Sequence, residues 1–168
     1  MPHSLPYRVC FVCSGNICRS PMAEVVLRGM VAKAGLADLV EVDSAGTGDW
    51  HVGSGADSRA RAALRRRGYD GSAHAARQWR RADFAERDLV VALDTGHYRW
   101  LTRLAPDETE RTKIRLLRSF DPAAADQHDV LDPYYGPDHG FDEVLDQVEA
   151  GCAGILAEVR NALGLGAA

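Results

Sequence analysis

The sequence predicts an α/β three-layer sandwich with a central four-stranded parallel sheet, organised as one domain over residues 1–168. Two observations carry that expectation. Short apolar, β-branched runs alternate with stretches of helical periodicity along the whole chain, the pattern of a parallel sheet covered by helices on both faces. A length of 168 residues with 46% apolar content gives one domain a sizeable core, and no repeat or low-complexity linker marks a second.

The first strand is expected over residues 7–12, where Tyr7-Arg8-Val9-Cys10-Phe11-Val12 reads as a short buried run. A loop follows, then a helix over residues 20–34, with Pro21 suited to its first turn and Gly35 just past its end. Residues 40–45 read as a second strand, followed by a loop containing Gly46, Gly48, Gly53 and Gly55. A helix is expected over 58–67 with a turn at Gly68, and a third strand over 89–93. A helix over 96–105, a fourth strand over 114–117 and a long amphipathic helix over 141–163 complete the pattern. Active groups in such sheets lie at the carboxyl ends of the strands.

The loop between the first strand and first helix reads Cys13-Ser14-Gly15-Asn16-Ile17-Cys18-Arg19. It sets a thiol and a guanidinium at its two ends. Such a loop turns backbone N–H groups toward one point, and the helix behind it adds unpaired amides and the positive end of its dipole. An oxyanion, phosphate above all, is the expected occupant. Helix ends and nearby cations draw thiols down to a pKa of roughly 3.5–7.5, so Cys13 is expected to be a thiolate at neutral pH. Arg19 offers a planar fork that can hold two phosphoryl oxygens while the thiolate attacks phosphorus. Gly15 lets the loop curl, and Asn16 can bond within it.

Cys10, Cys13 and Cys18 also fit a C-x2-C-x4-C metal or redox spacing, but Cys152, the remaining cysteine, falls in the C-terminal helix pattern. Cys10 reads as a small core residue. Cys18 reads either as loop packing or as the partner in a reversible disulfide protecting Cys13. No metal and no cofactor is expected.

The net charge of −4 conceals an asymmetry: residues 59–87 hold nine Arg against Asp70, Asp83 and Glu86, whereas residues 121–149 hold nine acids and no Lys or Arg. The run Arg65-Arg66-Arg67 can attract nucleic acid or an acidic partner, but such a run at helical spacing reads better as a solvated face. The partner expectation is therefore no nucleic acid, and, with no run long enough to span a bilayer and no secretion signal, no membrane. Four unpaired-looking cysteines fit a reducing compartment, so cytoplasmic residence is expected.

A phosphocysteine mechanism needs a carboxylic acid. Asp43, Asp94, Asp121, Asp126, Asp129, Asp132 and Asp138 all lie at strand ends or on loops. Asp132 is preferred because Pro133 fixes the backbone beside it and Tyr134-Tyr135 can form an aromatic wall next to it. The segment from Asp126 to His139 also admits a metal-site reading, with nothing to set a ligand geometry. His51, His97, His128 and His139 read as surface or loop residues without chemistry.

The stretch from Cys13 to Glu24, with Asp132-Pro133-Tyr134-Tyr135-Gly136, resembles the low-molecular-weight protein tyrosine phosphatases, nearest to bacterial, actinomycete-type members. Asp43-Ser44-Ala45-Gly46-Thr47-Gly48 with Asp49-Trp50, Ala76-Arg77-Gln78 and Ser119-Phe120-Asp121-Pro122 extend the likeness through most of the chain. The resemblance implies a flavodoxin-like fold, with Cys13 as nucleophile, Arg19 as phosphate clamp and Asp132 as acid then base. It implies a substrate-binding set of Ser14, Gly15, Asn16, Ile17, Cys18 and Ser20 with Trp50, Tyr134 and Tyr135 at the entrance. Within that set Ser20 bonds the thiolate, and Asn16 braces the loop with His74 behind it. Ser14 departs from the larger aliphatic residue or Thr more often found after the nucleophile. The implied substrates are phosphotyrosine-containing proteins or small aryl phosphates.

Two rivals remain. An arsenate reductase on the same scaffold needs a redox pair in mid-chain, and none lies between Cys18 and Cys152. A non-catalytic phosphate-binding module needs neither a reactive thiol nor a loop acid.

Overall fold

The computed structural model describes residues 5–166; residues 1–4 and 167–168, part of the expected domain, lie outside the described residues. Four parallel strands, β1 (Tyr7–Cys13), β2 (Val40–Gly46), β3 (Leu89–Ala92) and β4 (Ile114–Leu116), form one sheet in the order β2-β1-β3-β4. The central β1 pairs with β2 from Tyr7↔Val40 to Cys13↔Gly46 and with β3 from Val9↔Leu89 to Val12↔Ala92. Helices α1 (Arg19–Lys33), α2 (Ser58–Arg66), α3 (Thr95–Leu104), α4 (Glu108–Arg111) and α5 (Gly140–Ala162) complete a flavodoxin-like α/β fold.

Alternation along β1 divides the core. Val9, Phe11 and Cys13 face one side, where Met22, Val26 and Leu27 of α1 and Phe141, Leu145 and Ile155 of α5 cover them. Cys10 and Val12 face the other side and pack with Val90, Ala92 and Leu101, closed off by Trp79 and Phe84. Cys10 and Cys13 therefore lie on opposite faces of the sheet, which removes the C-x2-C-x4-C spacing as a shared metal site. Among the described residues no group of three or more His, Cys, Asp or Glu is placed to hold a metal ion.

The helix ends follow local chemistry. Gly35, with φ of 76°, takes the left-handed position after α1, and Leu36 N donates back to Val31 O at 2.9 Å, closing a Schellman motif. Asp57 caps α2 by accepting from Arg59 N, and Asp94 caps α3 by accepting from His97 N. Three short elements were not expected from the sequence: 3₁₀ turns at Arg81–Glu86 and Leu117–Phe120, and the single turn of α4 capped by Asp107. Each is too short to develop a hydrophobic period.

The basic and acidic blocks meet. Arg66 bonds Asp142, and Arg67 bonds Asp146 and Glu149 across the seam between α2 and α5. Much of the charge in the basic stretch is thus answered from within the chain. No helix among the described residues is long and apolar enough to cross a membrane.

Candidate active site

Cys13 ends the central strand, at the point where the sheet's connections diverge to its two sides, and the loop beyond it leads directly into α1. The scaffold grips this loop by its carbonyls. Cys13 O accepts from Thr47 N, Ser14 O from Gly48 N, Asn16 O from His74 Nε2, Ile17 O from Asp57 N and Cys18 O from Met22 N, at 2.6–3.1 Å. In a trans peptide the N–H points opposite to the C=O of the same unit. The amides of Ser14, Gly15, Ile17, Cys18 and Arg19 consequently turn toward the middle of the loop.

Asn16 holds the loop from behind. Its backbone is left-handed, with φ of 58°, a conformation that Asn tolerates better than most residues. Its side chain is fully buried and fully bonded: Nδ2 donates to Ser20 Oγ at 2.7 Å and Ser44 Oγ at 2.9 Å, and Oδ1 accepts from Arg77 N at 3.0 Å. Ser44 Oγ in turn donates a hydrogen bond to Glu24 Oε1 at 2.7 Å. Ser20 Oγ, already accepting from Asn16, lies 2.9 Å from Cys13 Sγ and can donate to it. Asn16 and Ser20 thus stand behind the loop with side chains turned inward, not on the wall of the cleft.

Arg19 is 4% exposed. Its Nη1 donates to Asp94 Oδ2 at 2.8 Å and Val130 O at 3.1 Å, which leaves Nε and Nη2 as a fork for an oxyanion. Burial pushes the Asp94 carboxyl up, but the His97 amide and ring and the Arg19 guanidinium outweigh it and hold the group below the ordinary carboxylate range. Asp94 is therefore committed as an ionised support.

Three more of the candidate acids are also occupied, and Asp126 and Asp138 do not line the cleft. Asp43 pairs with Arg77 and Arg87, Asp121 with Arg118, and Asp129 accepts from Thr95 N. Asp132 faces the cleft with a half-exposed side chain: Oδ2 is 3.7 Å from Arg19 Nη2, and Oδ1 accepts from Tyr134 N at 3.2 Å.

The cleft above the loop has a volume of about 470 Å³ and is lined by Cys13, Ser14, Gly15, Ile17, Cys18, Arg19, Asp132, Trp50, Tyr134 and Tyr135, together with His51. Trp50 and Tyr135 are exposed, and the Tyr134 and Tyr135 rings meet edge-on at 4.8 Å. Burial, with the charges of Asp57 and Cys13, pushes the Cys18 thiol up to about 12, so Cys18 is a neutral wall of the cleft. A larger hollow of about 790 Å³ lies at the opposite end of the strands, where Arg8, Arg28 and Arg87 are already paired with Glu41, Glu24 and Asp43.

Two histidines depart from the sequence reading. His51 packs over Gly15, where an added Cβ would come within 2.9 Å of its ring, and so joins the cleft wall. His97 is 5% exposed, with Nε2 2.8 Å from Ser14 Oγ. Its Nδ1 sits 3.1 Å from Asp94 Oδ1, too far out of line for a full hydrogen bond. Burial pushes His97 down to about 4. The Asp94-x-x-His97 capping spacing was the available signal; the Ser14 partner, 83 residues away, gave none.

Residues 8–164 match the sequence model of the family described as "Low molecular weight phosphotyrosine protein phosphatase". The chain belongs to this family. A "Low molecular weight protein-tyrosine-phosphatase" of Streptomyces coelicolor is 60% identical over 158 residues, covering 94% of this chain and 96% of that protein. The crystal structure of a protein tyrosine phosphatase from Entamoeba histolytica, with Hepes in the active site, superposes with a TM-score of 0.88 at 35% identity, covering 92% of this chain and 97% of that one. Vibrio vulnificus Wzb in complex with benzylphosphonate gives 0.79 at 26% identity, covering 91% and 99%. The phosphatase family thus accounts for both the sheet order and the loop that ends its central strand.

Proposed function

We propose that this phosphatase hydrolyses phosphotyrosine in proteins, and small aryl phosphates, through a phosphocysteine formed on Cys13. One observation carries the reading. The Cys13 sulfur, the free fork of Arg19 and the Asp132 carboxyl open on one cleft, over a loop whose carbonyls are all drawn outward where their partners are seen.

In the first step the Cys13 thiolate, accepting from Ser20 Oγ, attacks phosphorus as the bond to the tyrosine oxygen breaks. Asp132 gives its proton to that oxygen, which avoids expelling a phenolate whose conjugate acid has a pKa of about 10. In the second step water attacks the phosphocysteine, the ionised Asp132 takes the water's proton, and the S–P bond breaks to return the thiolate. The inward amides and Arg19 bear the charge on the equatorial oxygens throughout. Trp50, Tyr134 and Tyr135 form walls suited to a phenyl ring, and the benzylphosphonate complex of Wzb supports an aryl-bearing oxyanion in this cleft. Cys10 and Cys152, both fully buried, are poorly placed for the thiol relay an arsenate reductase uses. Work in a reducing compartment such as the cytoplasm accords with the four free cysteines.

The test is a pair of measurements. Rapid acid quench with radiolabelled phosphotyrosine peptide traps label on the wild-type protein and none on Cys13→Ser, and that variant loses turnover while still binding vanadate. Retained turnover in Cys13→Ser overturns the assignment.

A further inference from the structure

The segment that carries Asp132 has no regular secondary structure from Asp121 to His139, and the Asp132 side chain is half exposed. Something must nevertheless hold it against Arg19. Just before Asp132 the segment is pinned at three successive residues: Asp129 Oδ1 accepts from Thr95 N at 2.8 Å, Val130 N–H donates to Leu93 O at 2.9 Å while its carbonyl accepts from Arg19, and Leu131 N–H donates to Gln147 Oε1 at 3.1 Å. On the far side of Asp132 an attachment comes from α2. Arg59, in the first turn of α2, donates from Nη2 to Tyr134 O at 3.0 Å.

Tyr134 is also the residue whose N–H donates to Asp132 Oδ1. A single residue therefore receives the Arg59 bond at its carbonyl and delivers one to the acid at its amide. Arg59 is itself aimed. The Asp57 carboxylate takes Nε at 3.1 Å and Nη2 at 3.0 Å, and the guanidinium lies 4.7 Å from the centre of the Phe141 ring and 5.6 Å from that of Tyr134. The N–H of the same Asp57 donates to Ile17 O of the phosphate loop at 2.8 Å. Loop, α2 and acid segment are thus tied in sequence: Ile17 to Asp57, Asp57 to Arg59, Arg59 to Tyr134, Tyr134 to Asp132.

We propose that Arg59 is a positioning residue for proton delivery, setting the Asp132 carboxyl at the correct height above the phosphate loop through the Tyr134 backbone. It touches neither phosphate nor leaving group, and only the proton-transfer part of the reaction depends on it. The inference rests on Asp132 acting as the acid.

Proton delivery matters most when the leaving oxygen is basic, which gives a readout that a merely structural role would not move. The comparison is kcat/KM, which reports formation of the phosphocysteine, for phosphotyrosine and for para-nitrophenyl phosphate, whose phenol is far more acidic. Arg59→Met keeps the apolar stem against Phe141 and removes the fork. It is expected to lower kcat/KM for phosphotyrosine by about 10–100-fold, the scale of displacing a reacting group by up to an ångström, with a several-fold smaller loss on para-nitrophenyl phosphate. Arg59→Lys keeps a charge beside Asp57 but cannot also span to the Tyr134 carbonyl with fixed geometry, so it shows the same selective loss if Arg59→Met does not fold. In an Asp132→Ala background Arg59→Met adds no further selectivity. Equal losses on both substrates, or an undiminished selective loss without Asp132, overturn the proposal. An Asp132→Ala variant that itself shows no selectivity overturns the acid assignment, and the positioning role with it. A selective Asp132→Ala beside an unselective Arg59→Met removes Arg59 alone.

Discussion

Arg19 and Asp94 are joined by a 2.8 Å hydrogen bond that buries the guanidinium edge turned away from the cleft. The carboxylate gives its other oxygen to the His97 amide at 2.9 Å, so the start of α3 fixes the acid and the acid fixes the arginine.

Replacing Asp94 by Ala leaves Nη1 with only the Val130 carbonyl and lets the guanidinium tilt. A hydrogen bond to a charged group contributes about 1.5–3 kcal/mol, so the inhibition constant for inorganic phosphate is expected to rise about 10–100-fold. Asp94→Asn, which keeps an acceptor, should lose less. An unchanged phosphate constant in Asp94→Ala would show that Arg19 orients itself.

Asp132→Ala is expected to slow phosphotyrosine hydrolysis by about 10²–10⁴-fold, the range of general acid catalysis, while leaving thermal stability close to that of the parent. The second half follows from the exposure of its side chain. Steady-state rates beside a melting curve check both halves together.

His97 gives a pH signature. Its folded value of about 4 lies below the ordinary 6.5, so between those limits the unfolded chain takes up a proton that the folded chain refuses. Stability is complete above about pH 6.5 and falls as pH drops toward 4, by at most ~1.4 kcal/mol per unit. In denaturant titrations His97→Gln should flatten the slope in that window. A slope identical to the parent's would mean that the imidazole takes its proton without unfolding.

Gly46 pairs with Cys13 across β1 and β2, and an added Cβ there would stand 2.6 Å from Ser14 O and 3.3 Å from Asn16 N, both backbone atoms. Gly46→Ala must therefore push the phosphate loop. The expected cost is about 1–3 kcal/mol of stability together with weakened vanadate binding. Wild-type vanadate affinity in this variant would show that the loop has slack.

The sequence made the strands and the phosphate loop legible because both are local. β-branched runs at Val40 and Leu89, the Cys-to-Arg spacing and the position of Gly35 each declare themselves within a few residues. Contacts between distant segments were harder to read. Nothing beside Arg59 announces a bond to Tyr134, and nothing beside His97 announces Ser14. The charge blocks were read only in part for the same reason: Arg65 and Arg66 do lie on an exposed face, but nothing near Arg66 and Arg67 announces that α5 brings Asp142, Asp146 and Glu149 against them. Short elements such as α4 rest on one capping aspartate and carry no period to detect.

The outward-facing carbonyls of the Cys13 loop have a consequence for selectivity among inorganic ions. The width of the cup is dictated by its surroundings before any guest arrives, so the cup cannot contract around a flat or undersized visitor. Tetrahedral and trigonal-bipyramidal oxo species should be retained far better than planar nitrate of comparable size, and the empty and filled forms should superpose within thermal amplitude.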